Sequence, residues 1–178
     1  MACESLITIA NTCGKNTSDM VSENVYLISY NDLKFVTGYT EVYSTSVTGL
    51  VNVIALATGS TKFVKYGTVK KSTNIKDTFT AADNGSYSIE QELTFTLGNI
   101  ASIDSKIAVE KLINNPVVAL VKVAKQWVAM GLSGGLLLKG SEGTAGTGSN
   151  GRVVTLAGSD SEHIQVVDPT IIASLIAA

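Results

Sequence analysis

The sequence predicts a mainly β protein: a β-sandwich or barrel of about seven or eight strands, with one flanking α-helix at about 102–114, an extended N-terminal arm and a long inter-strand loop. Three observations carry that expectation. Ile89, Gln91, Leu93, Phe95 and Leu97 alternate with Glu90, Glu92, Thr94 and Thr96, the period of two that marks a half-buried strand. The runs Val25–Tyr30 and Val117–Val123 are rich in β-branched residues, short, and bounded by turn formers. A sustained helical period with three i,i+4 apolar pairs shows between Ser102 and Asn114. The 178 residues fit a single domain, 1–178, and no linker or repeat divides them. Hydrophobic residues make up 45 % and charged residues only 16 %, against roughly 25 % in an ordinary globular chain, so much surface must be buried.

Residues 1–24 are rich in Ser, Asn, Thr and Gly and read as an extended arm with a short strand at Leu6–Ile9. Val25–Tyr30 is the first core strand, and Asn31-Asp32 turns the chain before Phe35-Val36. Thr45–Leu56 reads as a second strand, covered on both faces in part. From 57 to 88, five lysines alternate with Phe63, Val64, Tyr66, Val69, Ile75 and Phe79, which reads as one long strand and then a loop ending in the Asn84-Gly85 reversal. The strand centred on Leu93 follows, and Gly98-Asn99 breaks it.

In the helix, Ser102 is the expected N-cap and Asp104 suits the positive end of the helix dipole. Ile103 with Ile107, Ala108 with Leu112, and Val109 with Ile113 make an apolar stripe expected to pack on a sheet. Asn115 precedes Pro116 and so leaves the α region, which ends the helix. Val117–Val123 and Gln126–Met130 form a hairpin about Ala124-Lys125. Gly140–Gly151 reads as a flexible tip between Gly134–Lys139 and Arg152–Ala157. A reversal at Gly158–Asp160 leads to His163–Val167, and Asp168-Pro169 opens a short closing helix through Ile176.

Composition also bounds the chemistry. A formal net charge of −2 supplies no positive field for holding nucleic-acid phosphates. One histidine, His163, and two cysteines, Cys3 and Cys13, leave little for zinc ligation or imidazole acid–base work. The cysteines read either as free thiols or as a bridge closed by a curled arm. No signal peptide is read at the N-terminus, and no apolar run approaches the ~20 residues of a bilayer-spanning helix, so no membrane insertion is expected. Gly143–Gly151 lacks the Gly-Lys-Ser/Thr ending of a phosphate loop. Glu90 with Glu92, and His163 beside Asp160 and Glu162, read as surface groups. No catalytic, cofactor-binding or metal-binding residue is assigned, no cofactor is expected, and the chain is not expected to be an enzyme. The lysine-rich strand is instead read as a subunit contact, with Lys62, Phe63, Lys65, Tyr66, Lys70, Lys71, Lys76 and Phe79 facing a neighbour's Glu90 and Glu92, and Cys3, Leu6 and Ile7 contributing from the arm.

The N-terminal Met1-Ala2-Cys3 with Cys13, Val25–Tyr30, Glu92-Leu-Thr-Phe95, the helix ending at Asn115, the Val118–Trp127 hairpin, Gly143–Gly151 and Arg152–Ala157 stand in an order that resembles the major tail tube proteins of tailed bacteriophages, especially those of Bacteroidetes hosts. The resemblance implies a virion protein, assembled in the host cytoplasm, whose copies close into hexameric rings that stack into a tube for genome ejection. Its implied partners are itself, the tail terminator, the baseplate or tip and the tape measure, with viral DNA passing transiently and without sequence-specific contact. Two other readings compete. One is another ring-former, such as a terminator or the inner tube of a contractile injection system; the other is a monomeric sandwich that grips a glycan or receptor through its loops.

Overall fold

The computed structural model describes residues 21–57, 61–81, 83, 85–98, 100–146, 149–160 and 162–177. The fold is a β-sandwich with a flanking helix, as the alternation predicts, but with eleven strands among the described residues. They are β1 (Val21–Ser29), β2 (Tyr43–Thr45), β3 (Val51–Ile54), β4 (Val64–Gly67), β5 (Asn74–Ala81), β6 (Tyr87–Gly98), β7 (Val117–Val123), β8 (Gln126–Met130), β9 (Leu137–Gly146), β10 (Ser149–Asp160) and β11 (Gln165–Val167). Helix α1 (Ile103–Glu110) lies between β6 and β7, and α2 (Pro169–Leu175) follows β11. A seven-stranded sheet runs β2-β3-β11-β8-β7-β1-β4, and a four-stranded sheet runs β5-β6-β10-β9.

Strand β7 explains the layering. Its Val117, Ala119 and Val121 enter the core between the sheets with Leu93, Phe95, Val154 and Leu156, while Val118 and Leu120 point the other way. There they meet Phe63, Val51, Ile172 and Leu175 in a second core. All five residues are buried, so the continuous apolar run is a strand covered on both faces. Strand β6 keeps its expected alternation: Ile89, Gln91, Leu93, Phe95 and Leu97 are all buried. Each fully buried Leu or Phe contributes about 1.5–3 kcal/mol relative to exposure, so these strands anchor the sandwich.

Several expected elements differ. The second strand is two, β2 and β3, joined by a turn in which Ser46 N–H donates to the Leu50 carbonyl at 2.8 Å. The 57–88 stretch is no single strand with a loop after it. The chain turns at Lys70-Lys71, where Lys71 takes φ 61°, and the next residues form β5 in the other sheet. The loop expected in the later part of 57–88 is therefore mostly an eight-residue strand paired residue for residue with β6. The glycine-rich tip is also ladder, since β9 pairs β10 as far as Gly146 opposite Ser149. Strand β10 continues through Gly158 to Asp160, past the expected reversal.

Helix α1 ends at Glu110, and a turn fills 111–114. Ser102 holds the N-cap position without a side-chain capping bond. The helix buries Ser105 and Val109 and leaves Ile103 73 % and Ile107 42 % exposed, so half of its expected apolar stripe faces outward. Helix α2 begins as expected: the Asp168 carboxylate accepts from Thr170 N–H at 2.9 Å, and Pro169 takes the first turn.

Candidate subunit-contact surfaces

The four-stranded sheet has one buried face and one open face, and its register assigns residues to each. Outward lie Asn74, Lys76, Thr78 and Thr80 of β5; Ser88, Glu90, Glu92, Thr94 and Thr96 of β6; Val153, Thr155, Ala157 and Ser159 of β10; and Glu142 and Thr144 of β9. Threonine favours the extended backbone and leaves a short polar surface. Lys76 stands opposite Glu92, and Lys139 Nζ reaches Glu92 Oε2 at 3.2 Å. The face thus carries the carboxylates Glu90, Glu92 and Glu142 against the ammonium groups Lys76 and Lys139.

Its two borders are open. Among the described residues, strand β5 pairs only with β6, and β9 only with β10. Among the described residues, no backbone hydrogen bond covers the far side of either strand. They are eight and ten residues long and run in opposite directions, because β5, β6, β10 and β9 alternate throughout. Long unpaired edges are templates for strand pairing, and proteins generally cover or shorten them.

The residues expected at a subunit contact separate into groups. Lys76, Glu90 and Glu92 come together on the open face. Phe79 lies on the β5 border, 54 % exposed, stacked on Tyr87 at 5.8 Å between ring centroids and 6.3 Å from His163. Lys70 and Lys71 are exposed in the turn before β5, and Lys65 is exposed on β4. Tyr66 is half-buried edge-on to Phe95, and its burial pushes its hydroxyl pKa up. Lys62 is half-buried, and its ammonium donates to the Ser174 carbonyl of α2. Phe63 is a correction: it is fully buried in the second core, its N–H donating to Leu175 O at 2.9 Å, so its side chain cannot meet a neighbour. Its position before the exposed Val64 and Lys65 gave no hint that α2 would cover it. Cys3, Leu6 and Ile7 lie outside the described residues. The β9 border was missed, because glycines at 140, 143 and 146 hide the alternation of Glu142 and Thr144.

Two polar clusters tie the open sheet to the rest of the chain. Asp77 on β5 accepts from His163 Nδ1 at 2.8 Å and from Ile164 N–H at 3.2 Å, which fixes the connection from β10 to β11. Glu162 accepts from the Tyr43 hydroxyl at 2.5 Å and from Gln165 Nε2 at 3.0 Å. Burial, and then the bond to Glu162, push the Tyr43 pKa far up, so the phenol stays protonated and donates. Among the described residues, no group of three His, Cys, Asp or Glu side chains is placed to hold a metal, and no helix is long and apolar enough to cross a membrane.

No protein-family model, curated protein or solved structure matches the chain.

Proposed function

We propose that this chain is a structural subunit whose copies join border to border through the four-stranded sheet, closing into rings that stack as the tail tube of a tailed phage. The single observation that carries the reading is the pair of long, open, oppositely directed borders, β5 and β9, on one four-stranded sheet. When β9 of one copy meets β5 of the next, the antiparallel alternation continues across the junction without a break. The contact is head-to-tail, and such a contact closes into a ring when the rotation per copy permits. Closure removes every edge of the sheet.

The bulk of the subunit decides which side faces inward. The seven-stranded sheet and α2 need the larger circumference, so they stand outside and the open threonine-rich face lines the channel. Six copies of four strands make a 24-stranded wall. At a spacing of about 4.8 Å and a tilt of about 40°, its backbone diameter is about 48 Å, wider than barrels of about 16–18 strands that already hold a water-filled channel. Three carboxylates and two ammonium groups per copy give that lining a net negative charge. Such a wall lets nucleic acid slide, because each phosphate neutralised by a lysine strengthens binding by releasing counterions.

Light scattering coupled to size exclusion, with negative-stain microscopy of the same fractions, tests the proposal. It predicts masses that are multiples of the 18.6 kDa chain, and annular or tubular particles. A monodisperse monomer at high concentration, with neither rings nor tubes, would overturn it and favour the binding-module reading.

A further inference from the structure

The two borders of the four-stranded sheet stand at different heights. Lys76 pairs with Glu92, Glu92 with Ala157 and Ala157 with Leu137, so β9 begins level with Lys76, near the start of β5. Asn74 is level with Gly140 along the same ladders, and Lys139 bulges out between Leu138 and Gly140. Copies meeting at equal height would therefore pair only Asn74 to Lys76, leaving Asp77 to Ala81 of one copy and most of β9 of the other without partners. Sliding one copy so that β9 moves toward Ala81 lengthens the overlap; sliding it the other way removes it. Fuller pairing thus requires each copy to step along the strand direction relative to the one before it.

We infer that the step is four residues per copy, which sets Glu142 of one copy opposite Lys76 of the next and Leu138 opposite Phe79. This register rests on the border-to-border reading and supplies its residue pairing. Inward faces meet inward faces only when the step is even, which leaves two, four and six residues. A step of two pairs five residues of β5 and puts Leu138, which packs on the inter-sheet core, against the Asp77 carboxylate. A step of six pairs all eight but leaves Glu142 opposite Thr78 and Leu138 opposite Ala81. The step of four pairs seven of the eight, from Asn74 opposite Thr144 to Thr80 opposite Leu137. Lys76 then lies between Glu92 of its own copy and Glu142 of the neighbour, and the exposed Phe79 ring gains an apolar partner. Opposite charges and apolar side chains directly across a ladder are the pairs that stabilise it. Ring geometry agrees independently. Four residues are about 13 Å along the strands for every four strands, about 19 Å across, which tilts the strands by about 35°. Steps of two and six give about 19° and about 46°, against a usual range of about 35–45°.

Disulfide trapping between copies tests the register. In a chain with Cys3→Ser and Cys13→Ser, Glu142→Cys is combined in turn with Lys76→Cys, Thr78→Cys or Asn74→Cys, and each protein is oxidised at assembling concentration. Residues directly opposite have Cα atoms about 4.5–5.5 Å apart, within reach of a disulfide, whereas a displacement of two residues separates them by about 7–8 Å, beyond it. The inference predicts that the Lys76 pair links copies at least about tenfold faster than the other two, read as a ladder of covalent multimers on non-reducing gels and by peptide mass. Fastest linkage through Thr78 or Asn74 overturns the step of four and leaves the border contact standing. Equal rates at all three positions also overturn it. Linkage through none of them overturns the border contact itself, and the register with it.

Discussion

Gln91 shows how much one side chain decides. It occupies an inward position of β6 yet is polar and only 2 % exposed. Its amide oxygen accepts from Gly131 N–H at 2.8 Å, and its amide nitrogen donates to Glu162 O at 2.9 Å, so it bonds β6 to the segments that follow β8 and β10. Gln91→Leu keeps the shape but strands both backbone groups, and denaturant unfolding should show a loss of about 2–4 kcal/mol. Phe63→Ala should cost about 3–5 kcal/mol by the same measurement, because a core cavity replaces the ring. If Phe63 were instead a contact residue, stability would hold and only association would fall. Asp168 makes stability depend on acid. The Thr170 N–H, and then its hydroxyl, donate to the carboxylate and hold its pKa below the ordinary range. A depressed folded pKa gives a contribution that is complete above the unfolded value near 3.9 and is lost as pH falls through the folded value. The stability gap between wild type and Asp168→Ala, followed by urea titration, should therefore be constant above about pH 5 and narrow below about pH 4.

At the scale of elements, legibility followed from how much of a strand's pattern its own residues carry. The alternation of β6, the doubly buried run of β7, the Ala124-Lys125 hairpin and the Asp168-Pro169 helix start were readable, because each rests on local periodicity or turn chemistry. The division of 57–88 was not, since β4 and β5 have the same mixed lysine and aromatic texture and differ only in which sheet they join. The β9–β10 ladder was hidden for another reason. Glycine lowers strand propensity, yet here it lets backbones approach: a Cβ on Gly158 would lie 2.7 Å from Gly135 O, and one on Gly151 would lie 2.9 Å from Leu97 O. Gly158→Ala should therefore cost about 1–3 kcal/mol on thermal or denaturant unfolding, although alanine is the better strand former. Helix α1 misled in the opposite sense. Its i,i+4 isoleucine pair is real, but Ile103 and Ile107 are left exposed, whereas Val109 and Leu112 hold the helix to the core. Of the candidate contact residues, those on the open face of β6 were legible from alternation, and Phe63 was not, because only the tertiary fold brings α2 over it.

For the whole molecule, one architectural asymmetry organises the account. The seven-stranded sheet is covered on both faces at its centre and ends on β2 and β4, three and four residues long, whereas the four-stranded sheet is covered on one face and ends on strands of eight and ten. A monomer would leave those long borders to water; a ring would consume them. The most direct measurement is backbone hydrogen exchange across β5 and β9, compared between dilute protein and protein at assembling concentration. Border closure predicts protection that rises with concentration on both strands together, while β7, already interior, stays unchanged. Exchange on β5 and β9 that is independent of concentration, in a sample shown to be assembled, would contradict it.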